Sequence, residues 1–323
     1  MDFYNKMRYS RQEILENIGQ EGQRLLRNST ITIVGIGALG TIVLDILARA
    51  GIGKIKIIDR DIIELNNLQR QTLFNEEDLA KPKALVAKEK INIINSDIEV
   101  QAHVVDLDYD NINLLKSDLI LDCTDNIYTR FLINDYSRKN DINWIYASVI
   151  KSKGMTMNIT KETPCFSCIF KEPTESLDTC DTAGILNTLP YALAAIQATE
   201  AIKILTKQDY IQDLVHYDLW KNELVKIKTK KLKNCKPCND IFEYLEGKKS
   251  RGSVKICGSC NYQIKLDKVN MQNLFDKLGN LNNIKVTDEC LILDDAIIFK
   301  SGRALIRAKT KEQAKTILDR YIG

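Results

Sequence analysis

The sequence predicts an α/β protein with a mainly parallel sheet, helices on both faces and a small C-terminal α+β unit. Three observations support this prediction. Short β-rich runs alternate with helical runs over the first half of the chain. A Gly-x-Gly-x-x-Gly sequence, Gly35–Gly40, joins the first such strand to a helix, and an acid, Asp59, closes the next strand. Together these features indicate a Rossmann-like first domain.

The individual elements follow from hydrophobic periodicity and from helix-end signals. An amphipathic helix is expected over residues 10–27. Gly51 marks the end of a later helix, and Pro82 stands in a first turn, where its missing N–H costs little. Strands are expected at Thr30–Val34, Lys54–Ile58, Leu119–Asp122, Asn143–Val149 and Met155–Ile159. Helices are expected at Leu39–Ala50, Pro82–Ile94, Asn126–Lys139 and Tyr191–Leu205.

The chain of 323 residues suits two domains. A large first domain is expected over residues 1–240, with a long irregular connection between 160 and 190. A linker is expected over 241–252 and a small α+β domain over 253–323. The last helix of that domain carries Ala314, Ile317, Leu318 and Tyr321 on one face.

Composition excludes several classes of function. The net charge of +3, without an arginine-rich run, argues against nucleic-acid binding, and the basic run Lys226–Lys231 is expected to be a strand with one solvated face. No apolar run approaches the roughly 18 residues that cross a bilayer. Residues 1–6 hold no hydrophobic signal core. Six of the nine cysteines stand in Cys-x-x-Cys pairs, which fits a reducing compartment, so we expect a cytoplasmic protein without a membrane partner.

The glycine-rich turn and Asp59 indicate a nucleotide. Glycines let backbone N–H groups approach a phosphate at a helix N-terminus, and a carboxylate at a strand end accepts hydrogen bonds from ribose hydroxyls. An NAD-dependent dehydrogenase would explain these residues. It gives no role to Arg70 and Lys83, and the two histidines, His103 and His216, are expected to be structural.

ATP gives every charged position a role. A bidentate Arg70 and a point-charge Lys83 suit a triphosphate. Asp125 follows a buried strand, at the edge where such sheets bind ligands. Its carboxylate suits Mg²⁺, although it equally suits an N-cap for the helix that follows.

Five segments carry a more specific pattern: Arg8–Gln12, Gly35–Gly40, Leu65–Gln71, Lys81–Lys83 and Asp122–Asn126. In combination they resemble the ThiF/MoeB family. Members of that family are adenylyltransferases that activate ubiquitin-like sulfur-carrier proteins, and they are related to ubiquitin-activating enzymes. The resemblance covers about residues 8–240 and extends weakly through the tail.

The resemblance implies a role for each position. Asp59 would hold the ribose, Asp125 would bind Mg²⁺ with Asn126 beside it, and Arg11 would enter the active site of a partner subunit in a homodimer. The nucleotide pocket would be lined by Gly35, Gly37, Ala38 and Gly40, and the phosphates contacted by Asn67, Arg70 and Lys83. Ala38 stands where many members have glycine, and we expect little effect from its methyl group.

Two groupings of the cysteines are open. The three pairs are Cys165 and Cys168, Cys235 and Cys238, and Cys257 and Cys260. Local spacing favours a zinc ribbon that joins the second pair to the third, 18 residues later. The resemblance instead implies a four-thiolate Zn²⁺ site that joins the first pair to the second.

Cys180 stands in the irregular connection. In thioester- or persulfide-forming members a cysteine occupies this place, so Cys180 is a candidate nucleophile. The alternative is an ordinary loop cysteine, because some members adenylate without one.

The expected reaction is adenylation of a carrier. ATP would activate the C-terminal glycine of a small carrier ending in Gly-Gly, for later sulfur transfer, with a sulfurtransferase as a further partner. Two alternatives remain at this stage: an inactive nucleotide-binding scaffold and an NAD-dependent oxidoreductase. The filled set of phosphate-binding positions favours the enzyme, and ATP binding against NAD binding separates the last alternative.

Overall fold

The computed structural model describes residues 8–172, 183–249, 261–266, 274, 278, 285–286, 290–300, 302–308 and 310–322. The chain forms two compact units, Met1–Ser250 and Arg251–Gly323.

The first unit is built on one eight-stranded sheet. Its strands are β1 (Thr30–Val34), β2 (Lys54–Ile58), β3 (Glu99–His103), β4 (Leu119–Asp122), β5 (Asn143–Ile150), β6 (Lys153–Ile159), β7 (Leu214–Asp218) and β8 (Glu223–Ile227). They lie in the order β3-β2-β1-β4-β5-β6-β7-β8. The pairs from β3 to β5 are parallel, and those from β5 to β8 are antiparallel. The predicted mainly parallel α/β sheet is confirmed, with an antiparallel extension.

Helices flank this sheet. They are α1 (Ser10–Glu13), α2 (Gly19–Asn28), α3 (Ala38–Ala50), α4 (Lys83–Ile94), α5 (Ile127–Asn140), α6 (Phe166–Ile169) and α7 (Thr188–Leu205). The helix α3 is buried on most of its length and ends at Gly51, whose φ of 84° only glycine adopts easily. Its predicted C-terminal signal is therefore confirmed.

The sheet order reverses between β1 and β4, which lie side by side although β2 and β3 separate them in sequence. Such a reversal opens a crevice at the carboxyl ends of the strands, where ligands bind in open α/β sheets. The turn after β1 and the loops after β2 and β4 therefore meet at one edge of the sheet.

Two predicted elements differ from the structure. The helix expected over residues 10–27 is divided into α1 and α2, and Ile14 and Leu15 between them are exposed rather than on a buried face. The break coincides with Gly19, which has a φ of 59°. The basic run Lys226–Lys231, expected to be a strand with one solvated face, overlaps the strand β8 at Lys226 and Ile227, and every residue of β8 is exposed.

The first unit extends past residue 240, into the segment expected to be a linker. Phe242 and Tyr244 are buried there, and the Tyr244 ring stacks on Phe131 of α5. The backbone N–H of Tyr244 donates to Asp135 Oδ2. The described part of this segment is therefore packed against α5, because its two aromatic rings find apolar surface there.

The second unit is an antiparallel sheet with a helix, as expected for a small α+β unit. Its strands are β9 (Asn261–Lys265), β10 (Lys285–Val286), β11 (Cys290–Ile292), β12 (Ala296–Phe299) and β13 (Arg303–Arg307), in the order β10-β11-β12-β13-β9. The final helix α8 (Lys311–Ile322) buries Ala314, Ile317 and Leu318 against this sheet's core cluster. Over the described parts of both units, we find no helix with the length and apolarity that a bilayer crossing requires.

Candidate active site and cysteine cluster

Two glycines of the turn after β1 are required by close packing. Gly35 has a φ of 90°, and a Cβ there would lie 2.8 Å from the carbonyl oxygen of Cys123. A Cβ on Gly40 would lie 1.9 Å from the carbonyl oxygen of Gly35. These glycines therefore let the turn, α3 and the end of β4 pack together.

Gly37 has a different environment. A Cβ there would meet the Gln71 Nε2 at 3.9 Å, an ordinary contact, so the backbone at the N-terminus of α3 has room beside it. Ala38 is the first residue of α3 and is partly exposed. The backbone at Gly37 and Ala38 is thus accessible at a helix N-terminus, which is where an anion binds best.

Gln71 belongs to this side of the turn. Its side chain is 3% exposed, and within the described residues its Oε1 has no hydrogen-bond partner. Buried polar atoms in proteins are nearly always paired, so a buried acceptor without a partner indicates a missing ligand or water. Together with the room at Gly37, this atom fits a polar ligand at the turn.

Asp59 lies at the end of β2 and is almost fully buried. Its Oδ2 accepts from the backbone N–H of Ile36, and its Oδ1 accepts from that of Asp61, both at 2.6 Å. Burial raises the pKa of Asp59, and the nearby Lys83 ammonium opposes that rise. The carboxylate therefore fixes the glycine turn to β2, and each oxygen keeps one acceptor position for a ligand.

Lys83 begins α4, and Pro82 precedes it as the N-cap. Its side chain is 8% exposed, and its Nζ lies 3.8 Å from Asp61 Oδ2. The buried ammonium of Lys83 thus pairs with Asp61, and its charge also favours the ionised form of Asp59. The structure thus brings the predicted phosphate-binding lysine beside the predicted ribose-binding acid.

Asn67 and Arg70 follow β2 in a short 3₁₀ turn and the loop after it. Asn67 is buried, with its Oδ1 accepting from the backbone N–H of Glu64 and its Nδ2 donating to Asn66 Oδ1 at 2.8 Å. Arg70 is half-buried, and its Nη1 donates to the carbonyl oxygen of Asn66. The turn therefore holds both side chains near their own backbone.

Asp125 stands in the loop after β4 and is exposed. Asn126, not Asp125, is the N-cap of α5, and its side chain accepts from the backbone N–H of Thr129. The capping alternative for Asp125 is therefore wrong. Burial opposes the charged form of Arg60 and of Arg130, but neighbouring acids, Asp125 among them, raise the pKa of both guanidinium groups.

Arg11 is exposed on the short helix α1. Its neighbours anchor that helix: Gln12 Nε2 donates to the carbonyl oxygen of Ala50, and Asn95 Nδ2 donates to the Tyr9 hydroxyl. Arg11 therefore lies at the surface, on a helix that these hydrogen bonds hold in place.

Four cysteines form a cluster within the first unit. Cys165 is separated by 3.7 Å from Cys168, by 3.4 Å from Cys235 and by 3.5 Å from Cys238, measured between sulfurs. All four sulfurs lie within 4.8 Å of one another. A tetrahedral Zn²⁺ with Zn–S bonds of about 2.3 Å separates its sulfurs by about 3.8 Å, so the cluster fits that ion.

The cluster also favours a thiolate. The Cys165 thiol donates a hydrogen bond that lowers the pKa of Cys168, and the same contact raises the pKa of Cys165. The backbone N–H of Leu232 donates to Cys168 Sγ as well. The grouping implied by the family resemblance is the one that the structure assembles. Cys257 and Cys260, and also Cys180, lie outside the described residues.

Sequence reasoning missed two residues of this region, Gln71 and Arg130. Gln71 closes the polar run after β2 but was given no role. Arg130 is buried beneath the Asp125 loop and pairs with Asp122 at 3.0 Å. The available signal was a charged residue one helical turn after the N-cap Asn126, on the buried side of α5.

Comparison with known proteins agrees with this geometry. The family model described as the ThiF family matches residues 9–239. The chain is 36% identical to a sulfur carrier protein ThiS adenylyltransferase of Bacillus subtilis, over 98% of this chain and 99% of that protein. It is 32% identical to a sulfur carrier protein adenylyltransferase of Thermus thermophilus, over 72% of this chain and 90% of that protein.

Solved structures show the same fold. A crystal structure of E. coli MccB with MccA-N7isoASN superposes with a TM-score of 0.65 at 24% identity, covering 72% of this chain and 74% of the other. At this identity the likeness shows the fold alone. The matched span and the two relatives show that this chain belongs to the ThiF family.

Proposed function

We propose that this chain is an ATP-dependent adenylyltransferase that activates the C-terminal glycine of a small ubiquitin-like sulfur-carrier protein of the ThiS/MoaD type. The observation that carries the proposal is the accessible backbone at Gly37, flanked by Asp59, Lys83 and Gln71, in a chain of the ThiF family. Adenylyltransferases of two other organisms match most of its length.

The residues divide the nucleotide among them. Asp59 would hold the ribose, and the turn from Gly35 to Gly40 with Ala38 would take the phosphates through backbone N–H groups. Asn67, Arg70 and Lys83 would contact the triphosphate. The positive charges of Arg70 and Lys83 stabilise negative charge that develops when the α-phosphate is attacked.

The chemistry is a displacement at phosphorus. The carboxylate of the carrier's last glycine attacks the α-phosphorus, the bond to the β-phosphate's bridging oxygen breaks, and pyrophosphate leaves with the bonding electrons. The nucleophile is already ionised near neutral pH, so no general base is needed. The enzyme positions two anions and neutralises their repulsion, which agrees with the cationic side chains of Arg70 and Lys83 after β2.

Two metals fit residues that are present. Asp125 is an exposed carboxylate at the sheet edge, and Mg²⁺ commonly binds one or two carboxylates together with substrate phosphates. When bound, Mg²⁺ would neutralise phosphate charge. We also propose Zn²⁺ for the cluster of Cys165, Cys168, Cys235 and Cys238, where it would supply structure rather than catalysis.

The proposal is tested by ATP–pyrophosphate exchange. Exchange is expected with a ThiS-like carrier ending in Gly-Gly and is expected to vanish when the last glycine is deleted. Arg70→Ala and Lys83→Ala should each lower kcat by about 10²–10³. Lys81→Ala is the matched control, since Lys81 is an exposed lysine two positions before Lys83 and pairs with Asp78.

Two results would contradict the proposal. Absence of carrier-dependent exchange by the wild-type protein would remove the function. Exchange by Arg70→Ala and Lys83→Ala at the level of Lys81→Ala would remove the site assignment. Calorimetry with ATP and NAD in parallel identifies the nucleotide independently of the carrier.

Arg11 is proposed to act in the active site of a second copy of the chain. Its exposure on the anchored helix α1 supports this role. Arg11→Ala and Asp125→Ala should each be inactive alone. Mixed and allowed to exchange subunits, they should recover about a quarter of wild-type activity, because half of the dimers then hold one intact site. Absence of recovery in verified mixed dimers would place Arg11 in its own subunit's site or outside catalysis.

A further inference from the structure

Arg130 makes a set of contacts that the proposed reaction does not use. It lies in α5, 9% exposed, directly beneath the loop that carries Asp125. Its Nε donates to Asp122 Oδ2 at 3.0 Å. Its Nη2 donates to two carbonyl oxygens, those of Thr124 in the loop and Ala147 in β5. One guanidinium therefore joins the end of β4, the loop and the neighbouring strand.

Asp122 uses its second oxygen on the same loop. Its Oδ1 accepts from the backbone N–H of Thr124 at 2.9 Å and from the Thr124 hydroxyl at 2.6 Å. The side chain is fully buried, and burial raises the pKa of Asp122 while Arg130 opposes the rise. Removal of the guanidinium would leave this carboxyl group without its charge partner in the interior.

The guanidinium of Arg130 also packs on the aromatic ring of Tyr146. Its central carbon lies 5.1 Å from the centroid of the Tyr146 ring, and the Tyr146 hydroxyl is hydrogen-bonded to Ser148. A planar group with five donors satisfies one carboxylate and two carbonyls while it lies over a ring. A lysine ammonium carries the same charge, but as a compact point charge it lacks this fork.

We propose that Arg130 is a positioning residue for the reaction: it fixes the loop from Cys123 to Asn126 so that the carboxylate of Asp125 is held at the sheet edge. Asp125 itself has no role as a helix cap, so its place depends on the backbone of Thr124 and on what anchors that backbone. The consequence for catalysis rests on the proposed function, in which Asp125 holds Mg²⁺.

The test compares Arg130→Lys with Glu200→Gln in the full chain. Glu200 on α7 is the matched control because it is also buried and ionised. It accepts hydrogen bonds from Asn158, from Lys203 and from the backbone N–H of Ile211. Hydrogen–deuterium exchange reports the loop directly. The amides of residues 123–126 should exchange about tenfold faster or more in Arg130→Lys, and at the wild-type rate in Glu200→Gln.

Kinetics supplies a second measurement. In carrier-dependent ATP–pyrophosphate exchange, Arg130→Lys should lower kcat roughly 10- to 100-fold, the cost of a misplacement of about 1 Å. The Mg²⁺ concentration for half-maximal activity should rise several-fold, and the Kd of ATP without Mg²⁺ should stay at the wild-type value. Glu200→Gln should leave all three quantities unchanged.

The outcomes separate the two proposals. Loop exchange is measured without any substrate, so it decides the positioning role even if the wild-type protein shows no adenylation. Loop protection and Mg²⁺ dependence equal to those of Glu200→Gln would overturn the inference. So would a loss of kcat with unchanged loop protection. If Arg130→Lys does not fold, Tyr146→Leu keeps every hydrogen bond of Arg130, removes the ring below it, and is expected to shift both quantities in the same directions.

Discussion

The sheet edge proposed to bind the nucleotide and the cysteine cluster hold their polar groups in opposite ways. At the edge, Asp59 and Asp125 follow the carboxyl ends of two different strands, β2 and β4. Asp59 is fixed by backbone N–H groups, so its position needs no ligand. In the cluster, three of the four cysteines are buried and the sulfurs have chiefly one another as partners.

This difference separates activity from stability. A site fixed by its own backbone keeps its shape when one ligand-facing side chain is removed, so the loss appears in the reaction. A cluster of thiols is completed by a metal ion. Because the unfolded chain has no preformed site, the free energy of metal binding adds to the free energy of folding. Substitutions at the edge should therefore alter catalysis, and substitutions in the cluster should alter unfolding.

The largest effect is expected from Cys235→Ser. It should lower bound zinc from one ion per chain to well below one, measured by metal analysis of the purified protein. The free energy of unfolding should fall by several kcal/mol, because a metal-stabilised fold loses its ion. Cys123→Ala is the control, since Cys123 is a buried cysteine outside the cluster. Equal unfolding of the two variants and full zinc in Cys235→Ser would show that the cluster is not a metal site.

Asp125→Ala should have the next largest effect, and this effect should be on catalytic activity rather than on stability. The carboxylate is exposed and caps no helix, so the unfolding midpoint should stay at the wild-type value. Carrier-dependent exchange should fall by about 10²–10³ in kcat. Asp110→Ala removes another exposed acid of the first unit and should change neither property. A drop in stability with Asp125→Ala would mean that the edge is not preorganised as described.

The placement of the residues at this sheet edge was largely predictable because its signals are local. The strand, the glycine turn, Asp59 and Lys83 lie within one stretch of sequence, and periodicity places each on an element. Parallel strands then bring their carboxyl ends to one edge without further information. Spacing alone did not show that Gly35 and Gly40 serve packing while Gly37 is accessible, because that division depends on which backbone each glycine faces.

Long-range contacts were the part that sequence could not supply. Cys165 meets Cys235 across 70 positions, and local spacing favoured a different grouping. The backbone N–H of Tyr244 donates to Asp135, which lies 109 positions earlier. In each case the deciding partner is distant in sequence, so no window of the chain contains it.

Asp135 gives a pH test of this long-range packing. Burial raises the pKa of Asp135 to about 7, although hydrogen bonds from the backbone N–H groups of Tyr244 and Leu245 lower it in part. Because the folded protein binds this proton more tightly than the unfolded chain, wild-type stability should fall as pH rises from about 4 to about 7. The slope approaches about 1.4 kcal/mol per pH unit, and the loss is complete above the folded pKa.

Asp135→Asn removes this titration while keeping one oxygen acceptor for the Tyr244 N–H. The difference in unfolding free energy between variant and wild type should therefore move in favour of the variant between pH 5 and pH 8, measured by urea denaturation. Asp118→Asn is the control, because Asp118 accepts from the backbone N–H of Thr30 at an exposed contact. A difference that is constant with pH would show that Asp135 is ionised throughout.

The smallest effect is expected from a substitution within the glycine turn, at Gly37. Gly37→Ala places a methyl group where it meets Gln71 Nε2 at 3.9 Å, so the protein should unfold as the wild type does. The same methyl group narrows the approach of a phosphate to the backbone, and the Kd of ATP should rise about tenfold, or about 1.4 kcal/mol. Calorimetry measures the affinity and thermal unfolding measures the stability.

Gly40→Ala is the matched change at the other kind of position. Its methyl group would lie 1.9 Å from the carbonyl oxygen of Gly35, and backbone cannot yield as a flexible side chain does. Overpacking of this kind costs about 1–3 kcal/mol or more of stability. If Gly37→Ala binds ATP as tightly as the wild type, the phosphates lie elsewhere. If Gly40→Ala is as stable as Gly37→Ala, the turn can relax, and the division of the glycines between packing and binding is wrong.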